Sequence, residues 1–297
     1  MHKKTKVYLI SYSFILPFFL FFTVFILYPI INVFNLSIQS GTFLDSSFHY
    51  TGFDNFLLVL TTKDFIRSFQ NSLRYIIMVV PFCQLFALGL ALLLRKKTHI
   101  GAVYESIFFM PMLISMVAAS VLIAYTLSNK GPVNTLLQTF GFASVNWFGK
   151  PTNALIAVMI LEIWKGGTFF VFVYMAAIRA IPQEYYEAAA IDGASVWQEA
   201  TRITLPLLRN SIVLCVTMNT IWQFQIFESV YMLTGGGPLK STESVIYTIY
   251  QYSFKYSKVG VGAAASVLFL IVILAVCGFE MLSFRLMDRS GKGRKHA

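Results

Sequence analysis

From Val7 to Ile38 the chain carries no Asp, Glu, Lys or Arg. A run of that length exceeds the ~20 apolar residues that cross a hydrocarbon core about 30 Å thick. It is also far longer than the roughly 7–15-residue core of a signal peptide, and no A-x-A-like cleavage site follows it. The run reads as an uncleaved first transmembrane helix, kinked at Pro17 or Pro29 and preceded by Lys3, Lys4 and Lys6. Five more apolar runs follow, at about 69–94, 101–127, 152–177, 210–233 and 259–284. Composition agrees: 57% of residues are hydrophobic and 12% charged, against about 25% charged in soluble domains. The expected fold is therefore an all-α polytopic membrane protein with six transmembrane helices. Its expected parts are a first helix and outer loop (1–68), a five-helix core (69–285) with a cytoplasmic loop at 180–209, and a basic tail (286–297).

An even number of crossings puts both termini on one side. Fourteen of the 23 Lys and Arg fall on that side and eight on the other, with Lys165 inside the fourth run. The positive-inside rule then places both termini in the cytoplasm, together with the polar stretch Glu187–Pro206. Because the basic residues sit at span ends, the net charge of +10 is a topology signal and not a nucleic-acid footprint. Cys83, Cys215 and Cys277 lie within apolar runs and read as buried thiols. The four His are scattered, so no metal site is expected.

The polar stretch EAAAIDGASVWQEATRITLP interrupts the apolar runs on the cytoplasmic side. Pro182 fixes a turn, and good helix formers run from Gln183 to Ile191. Asp192-Gly193 signals a turn. Ser195 with Gln198 three residues on has capping-box spacing. Two short helices joined at Gly193 are therefore expected. The Ala run permits close approach of another surface, and Trp197 offers a large apolar knob. An ordinary interfacial loop would tolerate the same residues, so docking site and plain loop both remain open on this ground.

Glu187-Ala188-Ala189, Gly193, Ile203 and Leu205-Pro206 reproduce the spacing of a family signature. On these residues the chain resembles the permease subunits of ATP-binding-cassette importers. The Ile-Pro-Gln-Glu-Tyr-Tyr lead-in, Asp192-Gly193-Ala194 and Leu233-Thr234-Gly235-Gly236-Gly237-Pro238 are similar to the carbohydrate branch, MalF/UgpA-like. The resemblance covers about residues 8–290. It implies a type I importer (MetI-like) permease fold, in which the loop is a coupling helix docked on a separate ATPase. It further implies a second homologous permease subunit, two ATPase copies holding ATP and Mg, an extracellular or periplasmic substrate-binding protein, and a location in the bacterial cell membrane. Two departures stand out: Ala200 occupies a position that is often aromatic, and Glu105 one that is often basic. With Ala200 small, Trp197 carries more of the expected contact.

The chain lacks a G-x-x-x-x-G-K-[ST] phosphate loop, so no nucleotide or other cofactor is expected on it by that route, and no catalytic residue is assigned. Ionisable groups inside a span mark functional positions. The fourth run holds Glu162, Trp164, Lys165 and Gly166-Gly167; the fifth holds Asn219, Trp222, Gln223 and Gln225. Both clusters fall near mid-span. At helical spacing 162, 165, 166 and 169 share one face, as do 219, 222, 223 and 226. Hydrogen-bonding groups beside an aromatic ring suit a sugar. The family's sugar-contacting positions, carried over by resemblance, are Glu162, Lys165, Gly166, Phe169, Asn219, Gln223 and Ile226. The competing reading is that Glu162 and Lys165 neutralise each other while the amides hold helices together. An intramembrane hydrolase would need paired Asp or H-E-x-x-H, which are absent. An ion-coupled carrier or channel leaves the docking segment without a role.

Overall fold

The computed structural model describes residues 2–42, 48–95 and 99–293. Asp45, Lys96, Lys97 and the last four residues of the expected basic tail lie outside them. The chain forms two compact units, Met1–Thr62 with Ile249–Ile271, and Lys63–Thr248 with Val272–Ala297.

In the first unit, α1 (His2–Phe22) runs through Pro17 without interruption. It continues through a π-helical turn, Thr23–Leu27, into α2 (Tyr28–Ser37). Pro29 accounts for the turn: its ring crowds the carbonyl four residues back, and a wider turn relieves the clash. Tyr28 N–H accordingly bonds to Thr23 O. The most apolar 18-residue stretch within Tyr12–Ser37 has no buried residue, as a lipid-facing helix requires, and Ser37 at the end of α2 is buried. The expected outer loop contains a two-residue hairpin, β1 (Gln39–Ser40) with β2 (His49–Tyr50), and a short helix, α3 (Asp54–Thr61). Asn55 Nδ2 donates to Gln39 O at 2.8 Å and to Ser37 O at 3.0 Å, tying this loop to the end of α2.

In the second unit, α4 (Lys63–Leu93) is followed by α5 (His99–Leu113), α6 (Met116–Thr126), α7 (Pro132–Thr139) and α8 (Pro151–Arg179). The core lies between α4 and α8. Tyr75, Val79, Cys83, Ala87 and Ala91 recur every fourth residue along α4 and are fully buried. They pack against Val158, Phe170, Val171 and Tyr174 of α8. Small residues in that stripe let the backbones come close, which is how helices associate where solvent supplies no hydrophobic force. Tyr174 donates to Gln84 Oε1 at 2.6 Å, and Gln84 Nε2 donates to Cys215 O at 3.3 Å.

The remaining elements are α9 (Gln183–Ile191), α10 (Val196–Glu199), a π-helical turn at Ala200–Thr204, α11 (Leu205–Leu207) and α12 (Arg209–Phe224). After these come α13 (Glu228–Leu233), α14 (Val245–Tyr250), a third π-turn at Gln251–Lys255, and α15 (Val259–Gly293). The second π-turn again precedes a proline, Pro206.

Among the described residues four helices are long and apolar enough to cross a membrane, and a fifth crossing counts if α5 and α6 are taken as one span. That pair is bent by 103°, where the sequence suggested one continuous third span. The expected fifth span is likewise split into α12 and α13. Alone, α12 has 16 residues, or about 24 Å at 1.5 Å each. The last helix runs past the expected end at 284 to Gly293.

Candidate functional site

Two places along α8 and α12 concentrate chemistry. The first is the elbow between these helices. Gly193 has φ +73°, a left-handed conformation that favours glycine. Ala194 N–H bonds to Ala189 O at 2.9 Å, and Gly193 N–H to Ala190 O at 3.1 Å. This is a Schellman closure of α9. Ser195 and Gln198 then form both bonds of a capping box, 2.8 and 3.3 Å.

The closure turns apolar groups outward. Ile191, Val196 and Trp197 are 88%, 71% and 76% exposed. Glu187, Ala188, Asp192 and Gly193 are exposed beside them, as is Pro206; Ala189 is buried, and Ala194, Ile203 and Leu205 are half-buried. Exposed apolar groups on a fixed, doubly capped turn mark an interaction surface.

Charges hold the elbow from behind. Arg95, at the end of α4, pairs with Glu199, and its guanidinium lies 5.3 Å from the centre of the Tyr186 ring. Tyr186 in turn shares a 3.0 Å hydrogen bond with Thr204. Arg179 pairs with Glu105, so the unusual acid noted in the sequence has a partner in the chain. Arg95, Arg179, Gln183, Tyr186, Glu187 and Glu199 line a cavity of about 600 Å³ here. Glu199 is thus engaged internally and not held out as a free charge.

The second place is a cavity of about 630 Å³ at mid-α8. Glu162, Lys165, Gly166, Phe169, Trp222 and Ile226 line it, as the helical spacing suggested. Asn219 and Gln223 do not; they lie buried behind Glu162. Gln223 Nε2 is 3.5 Å from Glu162 Oε2 and 3.4 Å from Asn219 Oδ1. Lys165 donates to Ile114 O at 2.6 Å and reaches Pro111 O at 3.4 Å. Its ammonium therefore caps the carbonyl end of α5, where the helix dipole favours a cation. Phe169 and Trp222 form a tilted aromatic pair, 5.0 Å between centres at 56°. Among the described residues, Asn219 Nδ2 and Gln223 Oε1 are buried here without a hydrogen-bond partner, and Ser229 lies against Glu162.

Met112, Met116, Phe227, Glu228 and Ser229 also line the cavity and escaped the sequence reading as wall residues. The two helix breaks bring them there. Ser115 caps α6, its Oγ accepting from Ala118 N at 3.2 Å. The break at 225–227 carries neither Gly nor Pro. It is held by a distant residue, Ser244, whose Oγ donates to Ile226 O.

Residues 85–289 match the family described as binding-protein-dependent transport system inner membrane component. The trehalose/maltose transport system permease protein MalF of Thermococcus litoralis is 31% identical, over 90% of both chains. The arabinooligosaccharides transport system permease protein AraP of Bacillus subtilis is 31% identical, over 89% of this chain and 85% of its own. Among solved structures, a bacterial ABC transporter involved in import of the acidic polysaccharide alginate aligns with a TM-score of 0.85 at 26% identity, over 95% of this chain and 97% of the other. A second structure of the alginate transporter, in complex with its pentasaccharide-bound periplasmic protein, aligns with a TM-score of 0.84 at 26% identity, over 94% and 95%.

Proposed function

The chain belongs to the family of binding-protein-dependent transport system inner membrane components, and from that membership we propose that it is the permease subunit of an ATP-driven sugar or oligosaccharide importer. It works beside a second homologous permease, two copies of an ATPase that hold ATP and Mg, and an external or periplasmic binding protein. It sits in the bacterial cell membrane with both termini in the cytoplasm. The sugar assignment draws on the cargo named for MalF, AraP and the alginate importer, and on a cavity that pairs aromatic rings with the hydrogen-bonding side chains of Gln225 and Ser229.

One observation carries the reading: α8 lines the cavity at its middle and runs on to the exposed elbow, from which α12 returns to the same cavity. From Glu162 to Arg179 is about 26 Å of helix at 1.5 Å per residue. A motor that grips Ile191, Val196 and Trp197 therefore moves both cavity walls as rigid rods. ATPase closure swings the pair from inward-facing to outward-facing about the fixed cavity, which is alternating access. The ATPase supplies the energy; this chain supplies the handle and the path.

The test is ATP hydrolysis in the reconstituted complex. Gly193→Trp is expected to abolish substrate-stimulated hydrolysis while the complex still assembles. Intact stimulation in that variant would overturn the docking role. Uptake by the chain alone in liposomes without ATP would favour an ion-coupled carrier instead.

A further inference from the structure

We propose that the mid-membrane cavity prefers a sugar bearing a protonated amine over a neutral sugar, and rejects a uronic acid. The inference rests on the importer reading above and names the cargo chemistry of the same site.

The balance of charge at the cavity wall carries the argument. Glu162 and Glu228 both face the space. The one cation of the wall, Lys165, is turned to the carbonyls of Pro111 and Ile114. It closes the end of α5 and has correspondingly less to offer an anionic cargo. The cavity is thus lined by two acids and a lysine already engaged.

The neutral groups point the same way. Ser229 Oγ lines the cavity beside Glu162 and accepts from no donor among the described residues; its residue is 1% exposed. A buried acceptor left unmade costs free energy that a donor on the cargo recovers. An ammonium group brings three donors and no acceptor. Gln225, also in the wall, offers an amide whose donors and acceptor serve hydroxyls. Phe169 and Trp222 border the same space, and aromatic faces attract a cation at short range. A carboxylate cargo would instead meet the Glu162 and Glu228 carboxyl groups with only the engaged Lys165 to offset them. The acidic polysaccharide named for the structurally similar alginate importer is thus the kind of cargo this wall excludes.

The experiment uses the assembled complex in detergent, without the external binding protein, so that only the permease cavity selects. Binding of a glucose trimer, a glucosamine trimer and a galacturonate trimer is measured by calorimetry. The glucosamine trimer is expected to bind on the order of tenfold tighter than the glucose trimer, the factor of one charge-assisted hydrogen bond, and the galacturonate trimer weakest of the three. The near-isosteric Glu162→Gln and Glu228→Gln should each shrink the amine advantage, and the double variant should abolish it. Galacturonate binding as tight as glucosamine overturns the proposal, and so does an amine advantage that survives the double variant. Absence of binding by all three overturns it as well. ATP hydrolysis by the same preparation, compared with Gly193→Trp, then shows whether the importer reading falls with it or stands.

Discussion

Two glycines of this chain are needed for different reasons, and substitution separates them. At Gly193 an added Cβ meets nothing within 4 Å, so only the left-handed backbone resists. That cost is about 1–2 kcal/mol for an L-residue. Gly193→Ala is therefore expected to lower the melting temperature by a few degrees and to leave substantial coupled ATP hydrolysis. Gly193→Trp projects its ring into the space a partner would fill, and should lose coupling with a similarly small change in melting. A large stability loss in both variants would show the turn matters for folding and not for docking. Gly167 is the contrasting case. Its Cβ would lie 2.9 Å from the Phe86 ring edge and 3.6 Å from Cys83 Sγ, on the face where α8 meets α4. Gly166, one residue before it, faces the cavity, and an added Cβ there meets nothing within 4 Å. Gly167→Leu should prevent stable accumulation of the protein in membranes, whereas Gly166→Ala should accumulate normally and change substrate affinity alone. A Gly-Gly pair inside a span permits either a close approach or a local break; here the helix is unbroken, and the close approach belongs to Gly167.

Between elements, the tie that matters for coupling joins α4 to the elbow. Arg95 and Glu199 are largely shielded, with side chains 16% and 14% exposed, so breaking the pair leaves a poorly solvated charge. Arg95→Ala and Glu199→Ala are each expected to reduce coupled hydrolysis, and the double variant should be little worse than either. A double-mutant cycle on thermal stability should return an interaction of about 1–3 kcal/mol; strict additivity would reduce the tie to a surface pair. This contact lay beyond sequence reading, because it joins residues 104 apart. Other features were legible. The apolar runs located the long helices, since uninterrupted apolarity over 20 residues has few other solutions. Asp192-Gly193 and Ser195 with Gln198 revealed the elbow, because caps are local chemistry. That Glu162, Lys165, Gly166 and Phe169 share one face followed from counting along a helix. The two breaks did not follow. Pro111 lies three residues before the bend and was visible, yet the bend itself rests on Ser115 and on Lys165 from another helix. The break beside Ile226 depends on Ser244, 18 residues on. With the breaks hidden, Glu228 and Ser229 could not be assigned to the cavity wall.

The expected orientation of the whole molecule rests on a small asymmetry, fourteen basic residues against eight, and two exposed positions make it measurable. Trp197 lies between α8 and α12 and is 76% exposed; Leu239 follows α13 and is 80% exposed. One passage of the α12–α13 span separates them, so they face opposite sides of the bilayer if that span crosses. The native thiols give little background, because Cys83 and Cys215 are buried and Cys277 is half-buried within an apolar helix. Leu239→Cys should react with a membrane-impermeant maleimide added to intact cells or spheroplasts, and Trp197→Cys should not. In inside-out vesicles the pattern should reverse. The opposite result would invert the molecule and move the elbow away from any cytoplasmic motor. The same cysteine also reports assembly. In the chain expressed alone, Trp197→Cys should label fully in inside-out vesicles, since nothing in the chain covers this side chain. Co-expression with the cognate ATPase should slow labelling at least tenfold, because a docked surface excludes the reagent, while labelling at Leu239→Cys stays constant. Equal rates with and without the ATPase would mean that the exposed elbow is not where the motor grips.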